Sequence, residues 1–269
     1  RSTGPGMGNL TASPNSLTIR TYHSFEPQRA SFGRGAKDHA ELIRRFDGHY
    51  RSLCRTDPDQ VNTTGTYVTL FSGFIGIFGW DMLLTAAGMD PARLGEMANR
   101  YAVWMQQYYD ALAESKTPVV YSHDDIVWTS GAVLHPEWYR QYIFPNYKKY
   151  YAPLLESGKK VIFVADGDYT EFVDDIAATG VSGFFFEPLT DLGYIAERYG
   201  QTHIIIGNVD TRALLLGTRE TIRRAVKRCM DLGKDCPGYF ISVSNMIPHN
   251  TPIESALYYN EVYEELSRR

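Results

Sequence analysis

The sequence predicts an α/β fold, a parallel β-sheet covered by helices, and three observations carry that expectation. Five short apolar runs end abruptly on acidic, amide or imidazole side chains: VVYSHDD, VIFVADGD, GFFFEP, HIIIGNVD and YFISVSN. Helix-period segments lie between most of them. The runs are almost continuously apolar, as strands buried on both faces must be. About six strands are legible, whereas a closed (β/α)8 barrel needs eight; either two βα units are missing at the N-terminus or the sheet is open. In a closed barrel of this kind chemistry sits where the strands end. That rule gathers Asp124, Asp125, Asp166, Glu187, Asn208, Asp210 and Asn245 around one mouth.

Taken in order, Arg1 to about Phe46 is rich in Gly, Pro, Ser and Arg without a sustained period, and reads as a surface arm with a short strand at Leu17 to Tyr22. A helix is expected from Ala36 to His49, a strand from Thr66 to Phe71 and a helix from Ile75 to Ala87. Between Pro91 and Ser115, Leu94, Met97, Tyr101, Trp104, Met105, Tyr108 and Leu112 recur at steps of three and four, the pattern of a helix burying one face. Thr117-Pro118 opens a strand from Val119 to Ser122. His135-Pro136-Glu137 is a helix start signal, and the helix it opens runs to Ser157, where Gly158 stops it. The remaining elements alternate: strand Lys160 to Ala165, helix Tyr169 to Ala178, strand Gly183 to Phe186, helix Leu192 to Tyr199, strand His203 to Ile206, helix Arg219 to Leu232, strand Tyr239 to Val243. A last helix, capped at Thr251-Pro252, covers Ile253 to Leu266.

With 43% hydrophobic and 22% charged residues in 269, the chain is globular and reads as one domain over 1–269 whose first 46 residues form the arm. A net charge of -4 argues against nucleic acid or an anionic membrane surface as a general partner. No apolar stretch reaches the roughly 20 residues of a membrane span, and no signal-peptide pattern opens the chain, which reads as truncated at its N-terminus. Cys54, Cys229 and Cys236 are an odd number without CxxC spacing, so a reduced, cytoplasmic setting is expected.

The strand ends supply the candidate chemistry. In the Asp124-Asp125 pair one carboxylate can cap a helix while the other faces the pocket, and desolvation among other carboxylates would raise its pKa into the range of a neutral-pH proton donor. Gly167, between Asp166 and Asp168, lets backbone approach a ligand closely. Glu187 follows three phenylalanines and precedes Pro188, a setting in which a carboxylate is seldom idle. Asp210 and Arg212 either pair across their loop or contact a polar ligand. His123 and His249 are each either solvated or functional.

Four blocks, HDDIVWTSGAVLHPEWYRQYIFPNYKKYY, GKKVIFVADGD, IIIGNVDTRALLLGT and ISVSNMIPHNTP, resemble the uroporphyrinogen decarboxylase superfamily. That superfamily includes the decarboxylase of haem synthesis and methyltransferases that serve corrinoid proteins. The resemblance implies a distorted (β/α)8 TIM barrel lacking its first two βα units here, with Arg1 to Phe32 as the loop and hairpin before the third strand. TYVTLFSGFIGIFGWDML is similar to the methyltransferase branch and lacks the haem enzyme's proline and serine-tyrosine pattern. The haem enzyme's arginine-rich carboxylate-binding segment has no counterpart in this chain. Zinc-dependent methyltransferases of the family use His-x-Cys and a distant Cys; the corresponding positions hold Val164, Asp166 and Asn245, so zinc is an expected cofactor only with unusual ligands.

An oxygen-rich site suits a different chemistry. Asp166 and Glu187, with His249 or His123, offer either a harder metal arrangement or acids beside an ether oxygen, and Asp125 is the third catalytic candidate. Substrate would meet Trp80, His123, Trp128, Phe186, Asn208, Asp210, Arg212 and Asn245; the aromatics, Tyr194 among them, form either an arene slot or packing. The resemblance thus implies a methyltransferase moving a methyl group from a small substrate, such as an aryl methyl ether, to a corrinoid protein; the oligomeric state is left open, with a homodimer as one option. The runner-up is a decarboxylase of a tetrapyrrole or small carboxylate. A third reading is a non-catalytic corrinoid- or tetrapyrrole-binding protein.

Overall fold

The computed structural model describes residues 36–243 and 246–267. The arm up to residue 35, its strand at Leu17 to Tyr22, and Asn245 lie outside the described residues. Helix α1 (His39–Thr56), whose Asp38 cap accepts from the Glu41 N–H, leads into strand β1 (Thr64–Thr66). Helices α2 (Phe71–Met89) and α3 (Pro91–Glu114) follow, then strand β2 (Val119–His123) and a small hairpin of β3 (Val127–Trp128) and β4 (Gly131–Ala132). Helices α4 (Pro136–Tyr142) and α5 (Phe144–Glu156) precede β5 (Lys160–Ala165). A 3-10 turn at Thr170–Phe172 opens the short α6 (Val173–Ala177). Strand β6 (Gly183–Phe186), α7 (Leu192–Tyr199), β7 (Ile204–Ile206), α8 (Thr211–Leu216), α9 (Arg219–Gly233), β8 (Tyr239–Phe240) and α10 (Ile253–Ser267) complete the described chain.

The sheet runs β1-β2-β5-β6-β7-β8, six strands among the described residues, and every neighbouring pair is parallel. Strand followed by helix, repeated around a parallel wall, makes this a partial (β/α)8 barrel, as the alternation predicts. Register decides which side chains face in. Tyr121, Ile162, Val164, Phe185, Ile206 and Phe240 pack together on the inner face. Their neighbours Val120, Phe163, Phe184, Phe186 and Ile205 belong to the main core, with the aromatic residues of α3, α4 and α5. Of the α3 stripe, Leu94, Met105, Tyr108 and Leu112 are buried, while Met97 is 38% exposed.

One buried carboxylate ties this wall to its first helices. Asp124, just past β2, is fully buried and accepts from the N–H groups of Leu70, Phe71 and Ser72 at 2.9, 2.9 and 2.6 Å. These are donors that the start of α2 leaves without helical partners. The Tyr147 hydroxyl from α5 is its fourth donor. In return Ser72 Oγ accepts from the Asp125 N–H at 2.8 Å. A helix N-terminus favours negative charge, so the pair divides its labour: Asp124 caps α2 and Asp125 is left at the mouth.

This long-range cap explains a departure from the sequence reading. The strand expected over Thr66 to Phe71 ends at Thr66, and α2 begins at Phe71, because Asp124, more than fifty residues away, recruits those N–H groups. The single helix expected from Pro136 to Ser157 is two, broken at Ile143 ahead of Pro145, whose ring nitrogen has no hydrogen to donate. Helix α2, by length and composition, has the apolarity of a membrane span, which corrects the expectation that no stretch reaches one. Phe71, Phe74 and Leu83 are buried in the core, and Gly79, at φ 69, breaks its regular geometry midway, a conformation glycine adopts without strain.

Replacing Asp124 by Ala leaves three buried N–H groups and a tyrosine hydroxyl without their acceptor. The expected loss is about 3–5 kcal/mol of folding stability in a denaturant titration; a change below about 1 kcal/mol would mean the cap contributes little.

Candidate functional site

Inward parity carries the polar strand ends to one place. His123 continues the Val119-Tyr121 face of β2, Asp166 the Ile162-Val164 face of β5, and Glu187 follows Phe185 of β6. The register sets His123 opposite Val164 and Val164 opposite Phe185, so Asp166 and Glu187 lie one inward step further along. Potential ligand atoms of His123, Asp125 and Asp166 lie within 4.8 Å of one another. Asp125 Oδ1 accepts from the Asp166 N–H at 3.0 Å and lies 3.4 Å from His123 Nε2. The other imidazole nitrogen, Nδ1, is 2.7 Å from the Tyr67 carbonyl oxygen, and the His123 and Tyr67 rings stack at 4.3 Å. Glu187 Oε2 accepts from the Gly167 N–H at 3.1 Å.

Charge is crowded here. Burial pushes the Asp166 carboxyl up to about 6, helped by repulsion from Asp125 and Glu187 and opposed by His123. Burial also raises the Tyr67 phenol, with Asp125 and Asp166 adding to the rise. Ionised Asp166 is therefore the costly state, and the site favours a positive charge beside it.

The loops that carry Asp166 and Glu187 are fixed by a buried network the sequence reading did not anticipate. Thr190 Oγ1 donates to the Gly167 carbonyl and accepts from the Tyr169 N–H. Asn208 donates its amide to the carbonyls of Glu187 and Thr190 at 3.2 and 3.0 Å, and its Oδ1 accepts from Arg228 on α9 at 2.7 Å. Gly167 sits at φ +83, and a Cβ there would come within 2.7 Å of the Trp128 carbonyl oxygen. The close approach foreseen for this glycine is thus to the β3–β4 hairpin. It brings Trp128 beside the acidic loop, where Trp128 and Trp80 pack with ring centroids 5.1 Å apart.

The structure brings together Asp125, Asp166, Glu187 and His123, with Trp80 and Trp128 alongside, and gives the other candidates different partners. Phe186 is 1% exposed and faces the helices, edge-on to Tyr169, because strand parity turns it away from the interior. Asn208 is fully buried, with its amide spent on the network above. Asp210 caps α8 through the Arg212 N–H and holds the Arg212 guanidinium at 2.7 Å, and the guanidinium lies near enough to Glu187 for their charges to attract. Tyr194 bonds Asp174 on the outer helices. His249 is exposed and outside the cluster, so among the described residues the histidine beside Asp166 is His123. Asp168 caps the turn at Thr170. Tyr67 and Thr190 were missed; only Thr190's burial and Tyr67's place after β1, both three-dimensional facts, reveal them.

A thiolate-zinc centre does not fit these residues. Cys229 lies on the helix side against Asn208, and Cys236 lies near the Ala196 carbonyl. Among the described residues the clustered donors are one imidazole and carboxylates, a harder set.

Residues 58–266 match the model of the uroporphyrinogen decarboxylase (URO-D) family, and the chain belongs to that family. It is 28% identical to the uroporphyrinogen decarboxylase of Carboxydothermus hydrogenoformans over 177 residues, 66% of this chain and 49% of that protein. With the enzyme of the same name from Thermus thermophilus it shares 28% identity over 163 residues, 61% and 46% of the two chains. The chain thus spans about half the length of these curated relatives. A methyltransferase from Methanosarcina mazei superposes with a TM-score of 0.65 at 16% identity, covering 84% of this chain and 64% of that one, and so shares the fold.

Following the Asp166 carboxyl carbon by NMR across pH should give a midpoint near 6. Asp125→Asn keeps an acceptor for the Asp166 N–H but removes a negative neighbour, so the midpoint should fall. An unchanged midpoint would show that Asp125 does not perturb Asp166.

Proposed function

We propose that the protein transfers a methyl group from the oxygen of a small methylated substrate, an aryl methyl ether, to a corrinoid carried by a partner protein. The observation that carries this reading is the convergence of His123, Asp125, Asp166 and Glu187 beside an aromatic pair at the strand ends. A methyl ether reacts slowly because its oxygen must leave with the bonding electrons. Positive charge or a proton at that oxygen lowers the barrier.

Asp166 holds a proton through part of the neutral range and can deliver it to the departing oxygen. The methyl–oxygen bond breaks, its electron pair stays on oxygen, and the proton makes the product a neutral phenol. Asp166 is then reprotonated from solvent. A partner's corrinoid in its reduced Co(I) state would supply the nucleophile for the methyl carbon. Trp80 and Trp128 offer flat apolar surface to the arene. Glu187, anchored by the Gly167 N–H, adds to the burial and the Asp125 repulsion that raise the Asp166 carboxyl. A reducing, cytoplasmic setting suits both Co(I) and the three free cysteines.

The second reading, decarboxylation of a tetrapyrrole or small carboxylate, is favoured by the names of the curated relatives. It calls for cationic side chains around the pocket. Of the arginines nearest the β7 end, Arg212 is held by Asp210 and Arg228 by Asn208.

Under anaerobic conditions, Co(I) cobalamin mixed with the protein and a panel of methoxyarenes should convert to methyl-Co(III), read by absorbance, with a matching arene. Asp166→Ala and Glu187→Ala should each slow conversion by about 100-fold or more. No conversion, together with carbon dioxide released from a porphyrinogen, would replace this reading with the second.

A further inference from the structure

A bond from outside the cluster fixes the tautomer of His123. The Tyr67 carbonyl can only accept, so the hydrogen sits on Nδ1. The ring is clamped flat against Tyr67 and is 7% exposed. In the neutral imidazole, Nε2 therefore points a bare lone pair into the cluster, 3.4 Å from Asp125 Oδ1, which is itself an acceptor. Two acceptors held face to face repel unless something positive lies between them. A backbone carbonyl on the far nitrogen is also the usual support of a metal-binding histidine, since it orients the ring and raises its basicity.

We propose that His123 Nε2 and the carboxylates of Asp125 and Asp166 bind one first-row divalent cation. Ligands at about 2.1 Å from one centre lie roughly 3–4 Å apart. The 3.4 Å pair already meets that spacing, and all three ligand atoms lie within 4.8 Å of one another. One nitrogen and two oxygens suit zinc, manganese, iron or cobalt in the divalent state more than a soft thiophilic ion. Bound there, the cation supplies the positive charge at the ether oxygen, and Asp166 serves it as a carboxylate instead of holding a proton. Only this use rests on the methyl-transfer reading; the binding does not.

The test is a titration of chelator-treated protein with Co2+, read by its visible d–d absorption without any methyl donor. One equivalent should saturate the signal, and Zn2+ should displace it. His123→Ala and Asp125→Asn should each weaken binding at least about tenfold with the circular dichroism unchanged, while His249→Ala binds like the parent protein. Asp125→Asn keeps the acceptor for the Asp166 N–H, so its loss of binding is not loss of the loop. Absence of any change from the spectrum of aqueous Co2+ at millimolar concentration, or undiminished binding in both variants, would overturn the site. Methyl transfer is scored separately: chelated protein that still methylates Co(I) at full rate overturns the cation's role and keeps the reaction. Tight Co2+ binding without methyl transfer supports the cation and sinks the reaction.

Discussion

The placement of the mouth depends on the Asp124 carboxylate. It gathers three N–H groups from the start of α2 and a hydroxyl from α5, and so locks two helices to the end of β2. Those groups could not be buried together without such an acceptor, because each unmatched donor costs about 1–3 kcal/mol. The consequence reaches the chemistry directly. Asp125 is the next residue, its N–H tied to Ser72 of the same helix start, so the cap also aims the carboxylate that faces His123 and Asp166.

The mouth itself is electrostatically unfinished by construction. Two carboxylates approach one imidazole with a third beside Asp166, burial removes water that would otherwise screen them, and the Asp166 carboxyl is pushed up to about 6. An arrangement of this kind costs folding energy and persists where a bound positive group compensates. Proton and divalent cation are the two ways of satisfying it, and both set positive charge among the carboxylates.

Much of this was legible in the sequence. Apolar runs ending on polar residues locate β2, β5, β6 and β7 within a residue or two, since parallel strands buried on both faces leave a continuous apolar trace. Asp125, Asp166 and Glu187 follow from the same rule. What the sequence could not give is parity and reach. Phe186 and Glu187 are adjacent, yet one faces the helices and the other the interior. Asn208 looks like a pocket residue until Arg228, twenty positions away, is seen to hold its oxygen. The strand expected through Phe71 failed because its N–H groups answer to Asp124. His123 and His249 look alike in one dimension, whereas the structure sets the first in the cluster and the second at the exposed surface.

The supports of the cluster are largely main-chain groups. The Tyr67 carbonyl orients His123, the Gly167 N–H holds Glu187, the Asp166 N–H meets Asp125, and the carbonyls of Glu187 and Thr190 seat Asn208. Peptide groups are the same whatever side chain they carry. A mouth framed in this way can exchange its reactive side chains one at a time while the frame stands, so new reactions can evolve on it by single substitutions without refolding the barrel.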